Sequence, residues 1–223
     1  ETPMLIGSTP EGARDFVVRR HGDAASWPRE IVTGRVALRH DGDAPVVSLS
    51  APGGARPEVA LDGARVLFYR PAGQPQALWR PAAASATPGP EAFRHGGIPI
   101  CWPWTGKAPG LPENGFARLR RWSVERASAD GDATTLLLSL SDSRETRALW
   151  PHRFRLELAI TLRDTLSVAL TTVNTGDAPF EFSAALHPYF LVDDAESAEV
   201  RGFEGAVRRD RFAGGAESLS RFH

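Results

Sequence analysis

Apolar and polar residues alternate without a break from residue 154 to 162. Phe154, Leu156, Leu158, Ile160 and Leu162 interleave with Arg155, Glu157, Ala159 and Thr161. A period of two over nine residues specifies a β-strand with one buried face. Arg163-Asp164 turns the chain, and Leu166, Val168, Leu170 and Thr172 repeat the pattern, so the two runs predict an antiparallel hairpin. One apolar sheet face needs a second layer to cover it. The sequence supplies candidates for that layer in shorter runs at 36–40, 46–50, 58–61 and 66–69, separated by Asp41-Gly42-Asp43 and Asp62-Gly63. Residues 77–79 add a further short run, and 122–126 and 134–141 flank a turn at Asp130-Gly131-Asp132. Residues 81–92 and 142–153 read as loops, and no long amphipathic helix is evident. The expected fold is all-β, an antiparallel β-sandwich of two packed sheets. Residues 1–33, with Pro3, Pro10 and Pro28, read as an N-terminal extension holding at most a short strand at Phe16-Val17-Val18. Residues 34–223 read as one domain.

Composition narrows the function classes. The 223 residues are 42% hydrophobic, enough for a core, and carry a net charge of −1. No basic footprint points to nucleic acid or an anionic membrane. Cys101 is the one cysteine, which excludes an internal disulfide and a multi-cysteine metal site and fits a reducing cytoplasm. His21, His40 and His223 lack metal-ligand spacing with one another. The first thirty residues, with Glu11, Arg14, Asp15, Arg19 and Arg20, contain no apolar run long enough for a signal peptide or membrane span. Nothing in the sequence sets an oligomeric state.

Residues 93–118 are the most heavily punctuated stretch. Gly96-Gly97 permits positive φ or close backbone approach, while Pro99, Pro103, Pro109 and Pro112 exclude helix and central strand. Trp102 and Trp104 flank Pro103 with large apolar faces and are read chiefly as loop anchors, Trp102 also as a sugar-stacking candidate. Cys101, between apolar neighbours, is expected to be a buried small hydrophobe. Downstream, residues 179–190 predict a strand with Phe180, Phe182, Ala184 and Leu186 on one face. His187 then points to the opposite, more polar face, where Pro188 must end or bulge the strand.

Three motifs in order carry a family resemblance. They are Gly96-Gly97-Ile98-Pro99-Ile100-Cys101-Trp102-Pro103-Trp104, then Leu111-Pro112-Glu113-Asn114-Gly115-Phe116-Ala117-Arg118, then His187-Pro188-Tyr189-Phe190. Together, over about residues 45–205, the chain resembles the hexose-6-phosphate mutarotases, a branch of the aldose 1-epimerase-like proteins. The resemblance implies a β-supersandwich with a small-molecule sugar or sugar phosphate on a concave sheet face and no metal or organic cofactor. It implies that His187 is the catalytic acid, in keeping with the near-neutral pKa of histidine. It implies that Arg118 contacts phosphate, a role suited to a planar guanidinium fork.

The chain departs from the pattern at named positions. Where the family has a second phosphate-binding arginine before the Gly-Gly pair, this chain has His95, with Arg94 one residue earlier. A one-residue shift in an extended segment reverses the side chain. Where the family tends to have Gln-His, this chain has Glu113-Asn114. Glu113 is a candidate partner for Arg118, and Asn114 is able to donate to a sugar hydroxyl. The family's carboxylate base, expected late in the chain in a Glu-Pro-Gly-like context, is not among the 223 residues, since Glu196, Glu199, Glu204 and Glu217 lack that context. Two functions are therefore expected as alternatives. One is a mutarotase interconverting hexose or hexose 6-phosphate anomers. The other is a carbohydrate-binding sandwich that keeps the sugar cleft without catalysis.

Overall fold

A computed structural model describes residues 16–17, 30–32, 34–41, 44–80, 96–199, 205, 207–210 and 216–219. The chain falls into two compact units, Glu1–Leu191 and Val192–His223. The first unit contains two five-stranded antiparallel sheets. One runs in the order β2 (Glu30–Val32), β3 (Val36–Asp41), β4 (Ala44–Leu49), β5 (Arg56–Ala60), β6 (Arg65–Arg70). The other runs β1 (Phe16–Val17), β8 (Ser123–Asp130), β9 (Ala133–Ser141), β10 (Phe154–Leu162), β11 (Leu166–Asn174). The short β7 (Ile100–Cys101) and β12 (Ala185–Leu186) pair with each other. In the second unit, β13 (Val207–Asp210) pairs with β14 (Ala216–Leu219) as a hairpin.

The alternation in β10 becomes burial. Its five apolar residues are at most 1% exposed, and the intervening residues are partly exposed. The register Leu162↔Leu166 through Phe154↔Asn174 confirms the hairpin with β11. The inner faces of both sheets share one core, joining Val47, Leu49, Val59 and Val66 to Leu136, Leu138, Leu156 and Leu158. Each such side chain, fully buried, contributes about 1.5–3 kcal/mol. Arg35 bridges the sheets at one rim, donating to Thr134 Oγ1 at 3.1 Å and to the Gly131 carbonyl at 2.8 Å.

Three expectations change. Phe16–Val17 and Glu30–Val32 pair with β8 and β3, so part of the expected extension belongs to the sheets. The expected loop at 142–153 contains α1 (Arg144–Leu149), started by a capping box. There Ser143 Oγ accepts the Thr146 N–H and Thr146 Oγ1 accepts the Ser143 N–H. The expected strand at 179–190 reduces to Ala185–Leu186. Its partner segment explains the reduction, because Pro99 and Pro103 accept from His187 and Ser183 but have no N–H to return. The ladder cannot propagate beyond two residues.

Candidate active site

The site is built by three segments that the backbone stitches together. The Trp79 N–H donates to the Tyr189 carbonyl at 2.8 Å, the Tyr189 N–H to the Gly97 carbonyl at 2.8 Å, and the Gly97 N–H to the Trp79 carbonyl at 2.9 Å. Gly97 has φ of +65°, and a Cβ there would collide with the Val66 carbonyl oxygen, so only glycine lets the corner lie against β6. The Val66↔Ile98 bridge and the Leu186↔Ile100 pair set the register. One step along from each, Arg65, Pro99 and His187 form a row across three segments. Side chains in one row share a face. Val66, Ile100 and Trp102 belong to the core, so the face that carries Arg65, Cys101 and His187 points the other way.

The second motif is locked beside this face. The Trp102 carbonyl accepts from the Phe116 N–H at 3.0 Å and the Ala117 N–H at 3.2 Å. Gly115, at φ +74°, packs so closely on the Trp102 carbonyl that a Cβ would collide with it. A 3-10 turn at Ala117–Leu119 follows and carries Arg118. Beyond it, Arg121 makes a bidentate pair with the buried Asp62, at 2.5 and 3.1 Å.

His187 is solvent-exposed, and its ring lies 4.9 Å from that of Tyr189. Its N–H donates to the Pro99 carbonyl at 3.0 Å, which fixes the backbone while the imidazole stays open. Arg118 donates from Nε and Nη2 to the Glu113 backbone carbonyl, at 3.2 and 2.8 Å. It therefore meets Glu113 through the main chain and not through the carboxylate. The Arg118 backbone packs on Gly63, two residues before Arg65; the Gly63 N–H donates to the Arg120 carbonyl at 2.7 Å, and the Arg118 charge acts on Arg65 and Cys101.

Asn114 has a structural engagement that the sequence did not suggest. Its φ is +60°, its Oδ1 accepts the Gly106 N–H at 2.7 Å, and its own N–H donates to the Gly106 carbonyl at 2.8 Å. Only its Nδ2 is left for a ligand. Trp102 is corrected as a stacking candidate. It is fully buried, with ring centroids of Phe154 at 4.5 Å, Trp150 at 5.0 Å and Phe116 at 5.6 Å around it, so it offers no face to a sugar. The exposed indole of the site is Trp79, 38% accessible and 6.1 Å from the Tyr189 ring. His95 and Arg94 lie outside the described residues.

One further group, Arg65, was missed by sequence reading. Arg65 is only 1% exposed, and its Nε and Nη1 have no hydrogen-bond partner. Burial, then the neighbouring Arg118 guanidinium, lower its pKa to about 10, against smaller opposing effects of Tyr189 and Cys101. Cys101 is buried as expected, and burial pushes its thiol pKa up more than Arg118 and Arg65 pull it down. An arginine at a strand start in sequence gives no sign that its head group is inside.

Comparisons with known proteins establish the family. A family model described as Aldose 1-epimerase matches residues 45–208. The chain is 37% identical over 146 residues to a proposed glucose-6-phosphate 1-epimerase of Escherichia coli strain K12, covering 64% of this chain and 47% of that protein. It is 32% identical over 156 residues to one proposed for Cenchrus ciliaris, covering 66% and 47%. Among solved structures, a proposed mutarotase from Salmonella typhimurium matches with a TM-score of 0.76 at 30% identity, over 85% of this chain and 62% of that one. A galactose mutarotase-like protein from Clostridium acetobutylicum shares the fold, with a TM-score of 0.60 at 17% identity over 74% and 56%. The chain spans about half the length, 47%, of the curated relatives it matches. Among the described residues no helix is long and apolar enough to cross a membrane. With the family match covering most of its length, this chain is a member of the aldose 1-epimerase family.

Proposed function

We propose that this chain carries the sugar-binding face and the catalytic acid of a mutarotase that interconverts the α and β anomers of a hexose 6-phosphate. The observation that supports this reading is convergence. Motifs more than seventy residues apart meet where Tyr189 bonds Gly97 and His187 bonds Pro99, with Arg118 near enough to act on the same cluster.

The chemistry needs little machinery. A base takes the anomeric hydroxyl proton, the C1–ring oxygen bond breaks as the C1 carbonyl forms, and an acid protonates the ring oxygen. Rotation about C1–C2 and the reverse steps give the other anomer. His187 is the acid in this reading, because its imidazole is open to a ligand and its backbone is pinned. Arg118 holds the phosphate, Asn114 Nδ2 donates to a hydroxyl, and Glu113 lies at the rim. Trp79 offers a flat face to the ring. His95 and Arg94 are proposed as further ligands from the adjoining segment. The proposed setting is the cytoplasm, where a lone thiol such as Cys101 stays reduced.

Equilibration of freshly dissolved α-glucose 6-phosphate and α-galactose, followed by NMR with and without the chain, tests this function. Acceleration over buffer, greater for the phosphorylated sugar, is the expected result. Saturation-transfer contact without acceleration would instead identify a carbohydrate-binding sandwich and overturn the catalytic reading.

A further inference from the structure

Arg65 presents a problem in electrostatics. Its guanidinium is buried, two of its three nitrogens have no partner, and it makes no ion pair among the described residues. Gly63, two residues before it, packs so closely on the Arg118 backbone that a Cβ there would lie 2.4 Å from the Arg118 carbonyl oxygen, which brings a second guanidinium near, and no carboxylate pairs with Arg65 among the described residues. A buried charge in that state is costly unless something of opposite sign completes it. Even arginines of this chain that lie open to solvent are completed, Arg121 by Asp62 and Arg39 by Glu58, each at 2.5 Å. Arg65 is not. The same is true of Arg118, which bonds only a backbone carbonyl and makes no ion pair among the described residues.

We propose that Arg65 is the buried half of a two-arginine anion site whose exposed half is Arg118, and that it sets the preference of the site for a doubly charged phosphate group. This deepens the proposed function and rests on it for the identity of the sugar phosphate. The row Arg65, Pro99, His187 sets the Arg65 and His187 backbones two strand spacings apart, about 10 Å at the usual separation. That span suits a ligand with its reacting end at His187 and its phosphate at the arginines. The half-exposed Arg118 is the direct contact, with the two-point geometry of a guanidinium fork. Arg65 acts from beneath, in a low-dielectric layer where its attraction is poorly screened. Two adjacent cations repel each other until a dianion neutralises both. Arg65 is thus a specificity residue and not a catalytic one.

The test uses inorganic phosphate as the probe, with chloride at matched ionic strength as control. The full 223-residue chain, Arg65→Met and Arg118→Met are compared by urea unfolding and calorimetric titration, and the parent is also assayed for mutarotation of α-galactose and α-glucose 6-phosphate. Removing an unpartnered buried charge should raise the unfolding midpoint of Arg65→Met without phosphate, while its phosphate affinity falls about ten-fold or more. A merely structural arginine would give a lower midpoint and unchanged affinity, which would overturn the proposal. Phosphate stabilising the parent no better than chloride would also overturn it. If Arg65→Met does not fold, Arg65→Gln removes the charge with a polar side chain, and retained parental phosphate affinity there would overturn the proposal. Phosphate binding that depends on Arg65 in a chain that turns over neither sugar would sink the proposed function and leave the anion site standing. Turnover of glucose 6-phosphate with Arg65-independent phosphate binding would do the reverse.

Discussion

The Tyr189 N–H donates to the Gly97 carbonyl at 2.8 Å, and this bond ties the His-Pro-Tyr-Phe segment to the Gly-Gly corner. Gly97 is there because its missing Cβ leaves room for the Val66 carbonyl. Gly97→Ala should therefore lower stability by more than about 2 kcal/mol, combining left-handed strain with a backbone collision. Gly73 has φ of +64° with nothing near its Cβ position, so Gly73→Ala isolates the strain at about 1–2 kcal/mol. Urea unfolding of both variants checks the difference. Equal losses would mean the Gly97 corner relaxes freely.

Asn114 closes its loop on Gly106 with a hydrogen bond in each direction. Asn114→Ala loses the Oδ1 bond and meets the strain of φ +60°, costing about 2 kcal/mol. Asn114→Gly keeps the conformation and loses only the bond, costing about 1 kcal/mol. Equilibrium unfolding should rank parent, glycine, alanine in that order of decreasing stability.

Trp102 tests whether an aromatic in the motif binds sugar or holds the core. Its Nε1 is buried without a partner, so Trp102→Phe drops an unpaired donor while keeping a ring. That change should cost less than about 1.5 kcal/mol and leave sugar contacts in saturation-transfer NMR unaltered. Trp102→Ala should cost about 3–5 kcal/mol, because four neighbouring rings would face a void. Loss of sugar contact in a folded Trp102→Phe chain would restore the stacking role.

Much of this architecture was legible from periodicity. The strict alternation of Phe154 to Leu162 survives residue by residue as burial, because a two-sided strand admits one solution once one face is apolar. The failures have physical causes. At 179–190 the alternation was present, but a strand needs a neighbour with free donors, and Pro99 and Pro103 supply none. The helix at 144–149 was hidden because six residues carry too little periodicity, leaving only the Ser143–Thr146 cap as a signal. At the candidate site, the motifs flagged the segments that the backbone brings together, while Trp102 turned inward because its neighbours Phe116, Trp150 and Phe154 come from three segments that only the fold assembles. Arg65 escaped notice for the same reason.

Cys101 supplies a pH dependence. Burial holds its thiol above the ordinary range, so above about pH 8.5 the native chain binds more protons than the unfolded chain. Stability then falls as pH rises through that range and towards the raised native value. Cys101→Ala removes this component. Urea midpoints at pH 7.5 and 9.5 should therefore drop further in the parent than in the variant, by a difference that identical slopes would rule out.

His187 is the residue on which the proposed mutarotation turns. Exchange NMR of α- and β-glucose 6-phosphate in the presence of the parent chain, His187→Ala and His187→Gln measures anomer interconversion directly. The imidazole is exposed and makes no hydrogen bond among the described residues, so both variants should fold with stability within about 0.5 kcal/mol of the parent. The predicted result is acceleration by the parent and a loss of about 10²–10⁴-fold in both variants. Acceleration that persists in folded His187→Ala, or no acceleration by the parent, would contradict the assignment of this face as a mutarotase site.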